Sequence, residues 1–195
     1  MANHQLTFRR IRVPRPSVPS NENILSIIKA ADEDPQLHDL RDAVRVIVNT
    51  GICFTELANL RWSDVDSESG RACVGTPRLH RRERIISRGP LTLESLAALL
   101  ARNQTSEYIL SDSCRGSFRM SRLLRTTAKS IGVDPVPFSA LRRVFACRLV
   151  GSGAPISAVM HCPGRRDCDG GLEIWLSPDY HCEQVSLNLA KIGEL

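Results

Sequence analysis

Long apolar runs are missing from this 195-residue chain. No stretch of about 18 apolar residues occurs, so a transmembrane helix and a membrane partner are not expected. The first ten residues, Met-Ala-Asn-His-Gln-Leu-Thr-Phe-Arg-Arg, contain no apolar signal core. That argues against secretion and for a cytoplasmic protein. Seven cysteines are present but no Cys-x-x-Cys pair. Their odd number, and settings such as Val144-Phe-Ala-Cys147, fit reduced thiols inside apolar patterns. Cys162, Cys168, His181 and Cys182 match no compact zinc spacing, so neither a metal nor another cofactor is expected. Lysine is scarce too. Of 26 basic residues, only Lys29, Lys129 and Lys191 are lysines.

What is present is ordinary for a globular protein: 42% hydrophobic and 24% charged residues. The length suits one domain with or without a tail. A formal net charge of +5 is a mild pointer to a polyanion. The arginine bias fits bidentate contact with phosphate; a GC-rich genome, which favours arginine codons, would also produce it.

Residues 1–20 carry Arg9, Arg10, Arg12 and Arg15, three prolines and no acid, which reads as a basic arm or linker. The main domain is read as 21–195. Ser20 or Asn21 caps a helix to about Ala31. A second helix runs from Asp39, with Leu40, Ala43, Val44, Ile47 and Val48 on one face and Gly51 as its stop. A short helix covers 55–60, followed by a turn at Ser63-Asp-Val-Asp66. Arg71–Gly75 and Arg84–Ser87 read as antiparallel strands. Helices are predicted over 93–102 and 117–131, with a short extended piece at 107–111. Ser139 is predicted to cap a helix ending near Val150, and Pro155 to open another. A final helix or tail spans 179–195. The fold class is mainly α with a small antiparallel β-sheet.

Several motifs follow one another in a telling order. Thr50-Gly-Ile-Cys53-Phe-Thr-Glu56-Leu57 leads into Leu60-Arg-Trp62-Ser-Asp-Val-Asp66. Later come Glu83-Arg-Ile-Ile-Ser87, Ser139-Ala-Leu-Arg142-Arg143-Val-Phe-Ala, Gly153–Arg165 and Trp175-Leu-Ser-Pro-Asp179. From about Glu22 onward, this series resembles the catalytic domain of the tyrosine recombinases, the phage-integrase family. The resemblance implies a metal-free phosphoryl-transfer site. In it, two arginines neutralise the phosphate, a lysine protonates the leaving oxygen and a tyrosine attacks phosphorus. Two further His or Trp positions assist.

Placed on those positions, the chain keeps little of the chemistry. Cys53 stands at the first arginine, Ser139 at the first histidine, Arg165 at the second and Trp175 at the tyrosine. No lysine occurs in the hairpin from Thr76 to Arg84. Arg142 alone keeps its family role. Loss of one charged donor removes about 3–4 kcal/mol of transition-state stabilisation, and loss of the nucleophile removes the covalent route. Tyr180 is a conceivable substitute, but it lies too far beyond Arg165. Trp62 is read as a packing residue.

Three basic surfaces remain. Arg119, Arg122, Arg125 and Lys129 share about a third of one helix with no acid on it. Arg142 and Arg143 fall in the first turn predicted after Ser139, where an anion would offset the helix dipole. Arg78, Arg81 and Arg82 lie on a hairpin, an element that enters a DNA groove in this family. The competing readings are solvated faces and, for Arg142, an ion pair with Glu56. Together the features point to a catalytically inactive, DNA-binding accessory or regulatory protein of a mobile element. Binding would be weak and salt-dependent, because the N-terminal clamp domain of full recombinases is not seen. A DNA-bound protein would be nucleoid-associated. Alternatives are a module that engages an active integrase, or itself, through the C-terminal tail; an enzyme using Tyr180; and a decaying remnant.

Overall fold

The helix at the centre of the fold, α2 (His38–Thr50), is the one whose apolar spacing is clearest. Leu40, Ala43, Val44, Ile47 and Val48 are all buried. Gly51 ends the helix at φ 70°, the left-handed region that glycine enters without a Cβ penalty. This computed structural model describes residues 18–66, 71–74, 84–87, 89–155, 158–159 and 193–195. The basic arm up to residue 17, Arg78, Arg81, Arg82, Arg165, Trp175, Tyr180 and the predicted helix over 179–192 lie outside the described residues.

Four other helices pack around α2: α1 (Asn21–Asp32), α4 (Pro90–Arg102), α6 (Ser117–Ser130) and α7 (Phe138–Gly151). The short helices α3 (Phe54–Asn59) and α5 (Asp112–Arg115) fill the gaps between them. Ser20 caps α1, as its position predicts, with Oγ accepting from Asn23 N at 3.2 Å. Three antiparallel strands complete the described fold in the order β1 (Val65–Asp66), β2 (Arg71–Val74) and β3 (Arg84–Ser87). Val65 pairs with Ala72, and Arg71 with Ser87. The mainly α reading with a small antiparallel sheet therefore stands. No helix among the described residues is long and apolar enough to cross a membrane.

A buried carboxylate ties two helices of this core. Asp42 on α2 is fully covered and accepts from Arg41 Nε at 2.8 Å and Nη2 at 3.0 Å. Arg102 at the end of α4 reaches the same carboxylate and also Asp39, at 2.9 Å. The hydrogen bond it donates to Asp42 holds Arg41 above the ordinary arginine range despite burial. Burial pulls Arg102 down, but its bonds to Asp42 and Asp39 outweigh that and hold it up. Arg102, reaching from α4 to Asp42 and Asp39, ties α4 to α2.

Several predicted boundaries move. The turn at 63–66 is a 3-10 turn over Trp62–Asp64 followed by β1. The piece at 107–111 makes a single bridge, Tyr108 to Arg61, and α5 follows it. Helix α4 begins at Pro90, three residues before the predicted start. Ser139 is not a cap. Proline fixes the backbone of Pro137 in an extended conformation, φ −79° and ψ 152°, so α7 starts at Phe138 and Ser139 lies inside its first turn. Arg142 and Arg143 accordingly sit in the second turn, beyond the free N–H groups of the helix start. Cys147 faces solvent instead of joining an apolar pattern, because its neighbours Val144, Phe145 and Leu149 take the buried face. Residues 158–159 are helical after Pro155, in keeping with that predicted start. Trp62 packs half-buried against the core, as read from its motif.

Candidate functional site

The turn from Gly51 to Phe54 organises the site. A Cβ on Gly51 would lie 2.4 Å from Cδ1 of Phe145 on α7, so only hydrogen fits there. Phe54, two residues after Ile52, stacks on Phe138 with ring centroids 4.6 Å apart. Phe138, Arg142 and Phe145 are spaced i, i+4 and i+7, one face of α7. Arg142 therefore shares the face of α7 whose two rings pack on the 51–54 turn. Ser139 is exposed one residue beyond Phe138.

Cys53 itself is the N-cap of α3, extended at φ −90°. Its N–H donates to Glu56 Oε2 at 2.7 Å, and its carbonyl accepts from Leu57 N at 3.0 Å. Glu56 is buried. A half-buried cysteine thus occupies a helix start where the motif places a guanidinium. Next to Arg142, Arg143 is half-buried. Its Nε and Nη2 are shielded from solvent and meet no hydrogen-bonding partner among the described residues.

The second basic surface is α6. Met120, Leu124, Thr127 and Ala128 bury its inner face against α1, α2 and α5. Arg119, Arg122, Arg125 and Lys129 are exposed on the outer face. Among the described residues none of the four forms an ion pair, and Arg119 makes a single long contact, 3.5 Å to Ser113 O. The N-terminal end of α6 lies beside α3. A shallow cavity of about 200 Å³ is lined by Phe54, Thr55, Ala58, Asn59, Arg115 and Ser117. The α6 start and the 51–54 turn consequently share Phe54 as a common wall.

Arg115 and Tyr108 were not singled out by any motif. Arg115 Nε donates to Ala58 O at 2.8 Å, and its guanidinium lies 3.4 Å from the Tyr108 ring centroid. Arg61 lies over the same ring at 5.4 Å. No local signal marks this stack, because its members come from three separate segments. Among the described residues, no group of three or more His, Cys, Asp or Glu side chains is placed to hold a metal. The four Cys and His residues weighed for zinc, from Cys162 to Cys182, lie outside the described residues.

The other end of the described chain also reaches the core. Glu194 accepts from Leu91 N at 2.6 Å and Thr92 N at 3.1 Å, and so caps α4 from a distance. Arg148 on α7, buried, donates to Asn49 Oδ1 at 3.0 Å and to the Gly193 carbonyl. Burial lowers the Arg148 pKa, and the charge of Glu194 partly offsets this.

Comparison with known proteins agrees with this architecture. The family model described as the phage integrase family matches residues 19–169. Among curated proteins, none matches the chain by sequence. The crystal structure of XerA recombinase is similar at a TM-score of 0.68 and 21% identity, over 91% of this chain and 64% of that one. This chain thus spans just under two thirds of XerA. The lambda integrase catalytic core is similar at a TM-score of 0.61 and 25% identity, over 78% of this chain and 94% of the core. The Tn1549 transposon integrase, solved with circular intermediate DNA, gives a TM-score of 0.68 at 14% identity, over 92% of this chain and 67% of that one. With the fold, the ordered motifs and the matched span in agreement, the chain belongs to the phage integrase family.

Proposed function

We propose that this protein binds duplex DNA without breaking it and serves as an accessory or regulatory factor in the integration or recombination of a mobile element. What supports the reading is the packing of α7 on the 51–54 turn, through Phe145 on Gly51 and Phe138 on Phe54, with Cys53 in the turn and Arg142 on the same helix face as the two rings. One guanidinium of the family's pair is kept on the α7 face, and a cysteine stands for the other. Trp175, at the tyrosine position, has no oxygen with which to attack phosphorus. Without the nucleophile and the first arginine, the remaining chemistry is electrostatic: binding and positioning of phosphate.

Further support comes from the cations that have no local use. The exposed α6 stripe has no ion-pair partner among the described residues. A phosphate backbone supplies what it lacks. Lambda integrase and the Tn1549 integrase have been solved on DNA, and the same fold would present α6 and α7 to a duplex here. As a DNA-bound factor the protein would work in the cytoplasm, at the nucleoid.

A gel-shift titration with duplex DNA tests the proposal. About four phosphate contacts give a log–log salt slope near −3.6, or roughly a hundredfold loss of affinity between about 50 and 200 mM salt. Arg142→Ala combined with Arg122→Ala should weaken the shift and flatten the slope. Absence of any shift at low salt would overturn the reading.

A further inference from the structure

Phe118 is the most exposed large apolar residue among the described ones, at 82%. The other five in that class, Val18, Leu25, Leu100, Ile131 and Val150, lie between 37% and 57%. Those side chains rest partly on the surface; the phenyl of Phe118 stands off it. Its position on α6 is specific. Phe118, Arg122, Arg125 and Lys129 are spaced i, i+4, i+7 and i+11, so the ring heads the cationic stripe and lies within its arc. It is the second residue of the helix. The N-cap, Gly116, has open space around it, with nothing within 4 Å of an added Cβ. Phe118, Ser121, Arg122 and Arg125 line a shallow cavity of about 300 Å³ beside the ring.

We propose that Phe118 reads sequence: its ring packs on the C5-methyl group of a thymine in the major groove of duplex DNA while Arg122, Arg125 and Lys129 follow the adjoining phosphates. The inference rests on the DNA-binding reading above and deepens it. Charge selects the class of partner. Four cations follow the ring along α6, which carries no acid, so an apolar protein surface would strip water from those cations and return nothing. A polyanion meets both requirements. Shape selects the duplex. An α-helix fits the major groove, and side chains in the first turn of an entering helix reach base edges while later ones meet the backbone. On those edges the apolar group is the thymine methyl. The cations lie up to about 16 Å behind the ring along the helix axis, which is where the flanking strand would run.

The test uses the full-length protein and a pool of randomised 20-base-pair duplexes, sequenced before and after retention. The wild type should enrich thymine at one fixed position. Replacing that thymine by deoxyuridine, which removes only the methyl group, should weaken wild-type binding about fourfold, the worth of one buried methyl. Phe118→Ala should bind the thymine and deoxyuridine duplexes equally, with the salt slope unchanged. If Phe118→Ala keeps the deoxyuridine penalty, or the wild type enriches no thymine, the thymine reading fails while DNA binding stands. A larger Phe118→Ala loss on single-stranded 20-mers than on duplex would assign the ring to base stacking and also overturn it. If the wild type retains no duplex at all, the underlying DNA reading has failed. A change in oligomeric state on Phe118→Ala would instead assign the ring to a protein contact.

Discussion

Asn49 and Leu195, 146 residues apart, hold each other by a reciprocal pair of hydrogen bonds. Asn49 Nδ2 donates to the Leu195 carbonyl at 3.0 Å, and Leu195 N donates to Asn49 Oδ1 at 3.1 Å. Asn49 is buried at the end of α2. With Glu194 on the α4 start and Gly193 on Arg148, the last three residues close the ends of three helices. Deleting 193–195 removes these bonds and leaves buried donors unmet, at a cost of about 2–4 kcal/mol. Urea denaturation of the truncated protein checks this; an unchanged midpoint would contradict it.

Gly89→Ala isolates one part of that latch. The Gly89 backbone, φ −85° and ψ 179°, suits alanine, but the new Cβ would lie 2.4 Å from the Glu194 carboxyl carbon. The side chain of Glu194 must leave the α4 start. We expect a loss of about 1 kcal/mol, the usual worth of a helix cap. Faster amide exchange should be confined to Leu91 and Thr92, and exchange spread through α2 would show that the effect is not local.

Gly51→Ala should be severe. The φ of 70° disfavours any Cβ, and Phe145, fully buried, cannot retreat from it. Strain and overpacking together cost about 2–4 kcal/mol. Because the same turn carries Cys53 and packs on α7, the helix that carries Arg142, DNA binding should fall with stability. Thermal melts and gel shifts on the one variant check both halves.

Acid should weaken the α1–α2 corner. Arg41 hydrogen-bonds Asp32 and holds its carboxyl below the ordinary aspartate value. A carboxylate depressed in the folded state contributes stability above its unfolded pKa, about 4. That contribution disappears as pH falls through the lower folded value. Asp32→Asn should therefore lower stability at pH 7 and leave it nearly unchanged at the acid end of that window. Urea midpoints at the two pH values report the difference, and an equal loss at both would contradict it.

Much of this was legible from the chain. The spacing of Leu40 to Val48 and the stop at Gly51 give α2 directly, because the signal is local and periodic. The motif order gives the family. The start of α4 was not legible, because its cap, Glu194, lies more than a hundred residues away and Gly89 supplies none. The start of α7 was misplaced to Ser139, a good capping residue. Pro137 and the packing of Phe138 on Phe54 decide it instead. At the site, α7 packs on the 51–54 turn through Phe145 on Gly51 and Phe138 on Phe54, contacts that motif order implies but spacing alone does not. Phe118 went unnoticed because composition marks the cations around it, and exposure is a property of the packed helix. The stack of Arg115 on Tyr108 is likewise tertiary.

A duplex carrying a nick just beyond the cleavage position traps any covalent phosphodiester exchange, since the cut fragment diffuses away. Incubated with this protein at low salt and resolved under denaturing conditions, such a DNA should run entirely as free strand, while a native gel of the same mixture shows a shifted complex. A band of DNA joined to protein, lost on Tyr180→Phe, would contradict the proposal that the chain holds DNA without cutting it.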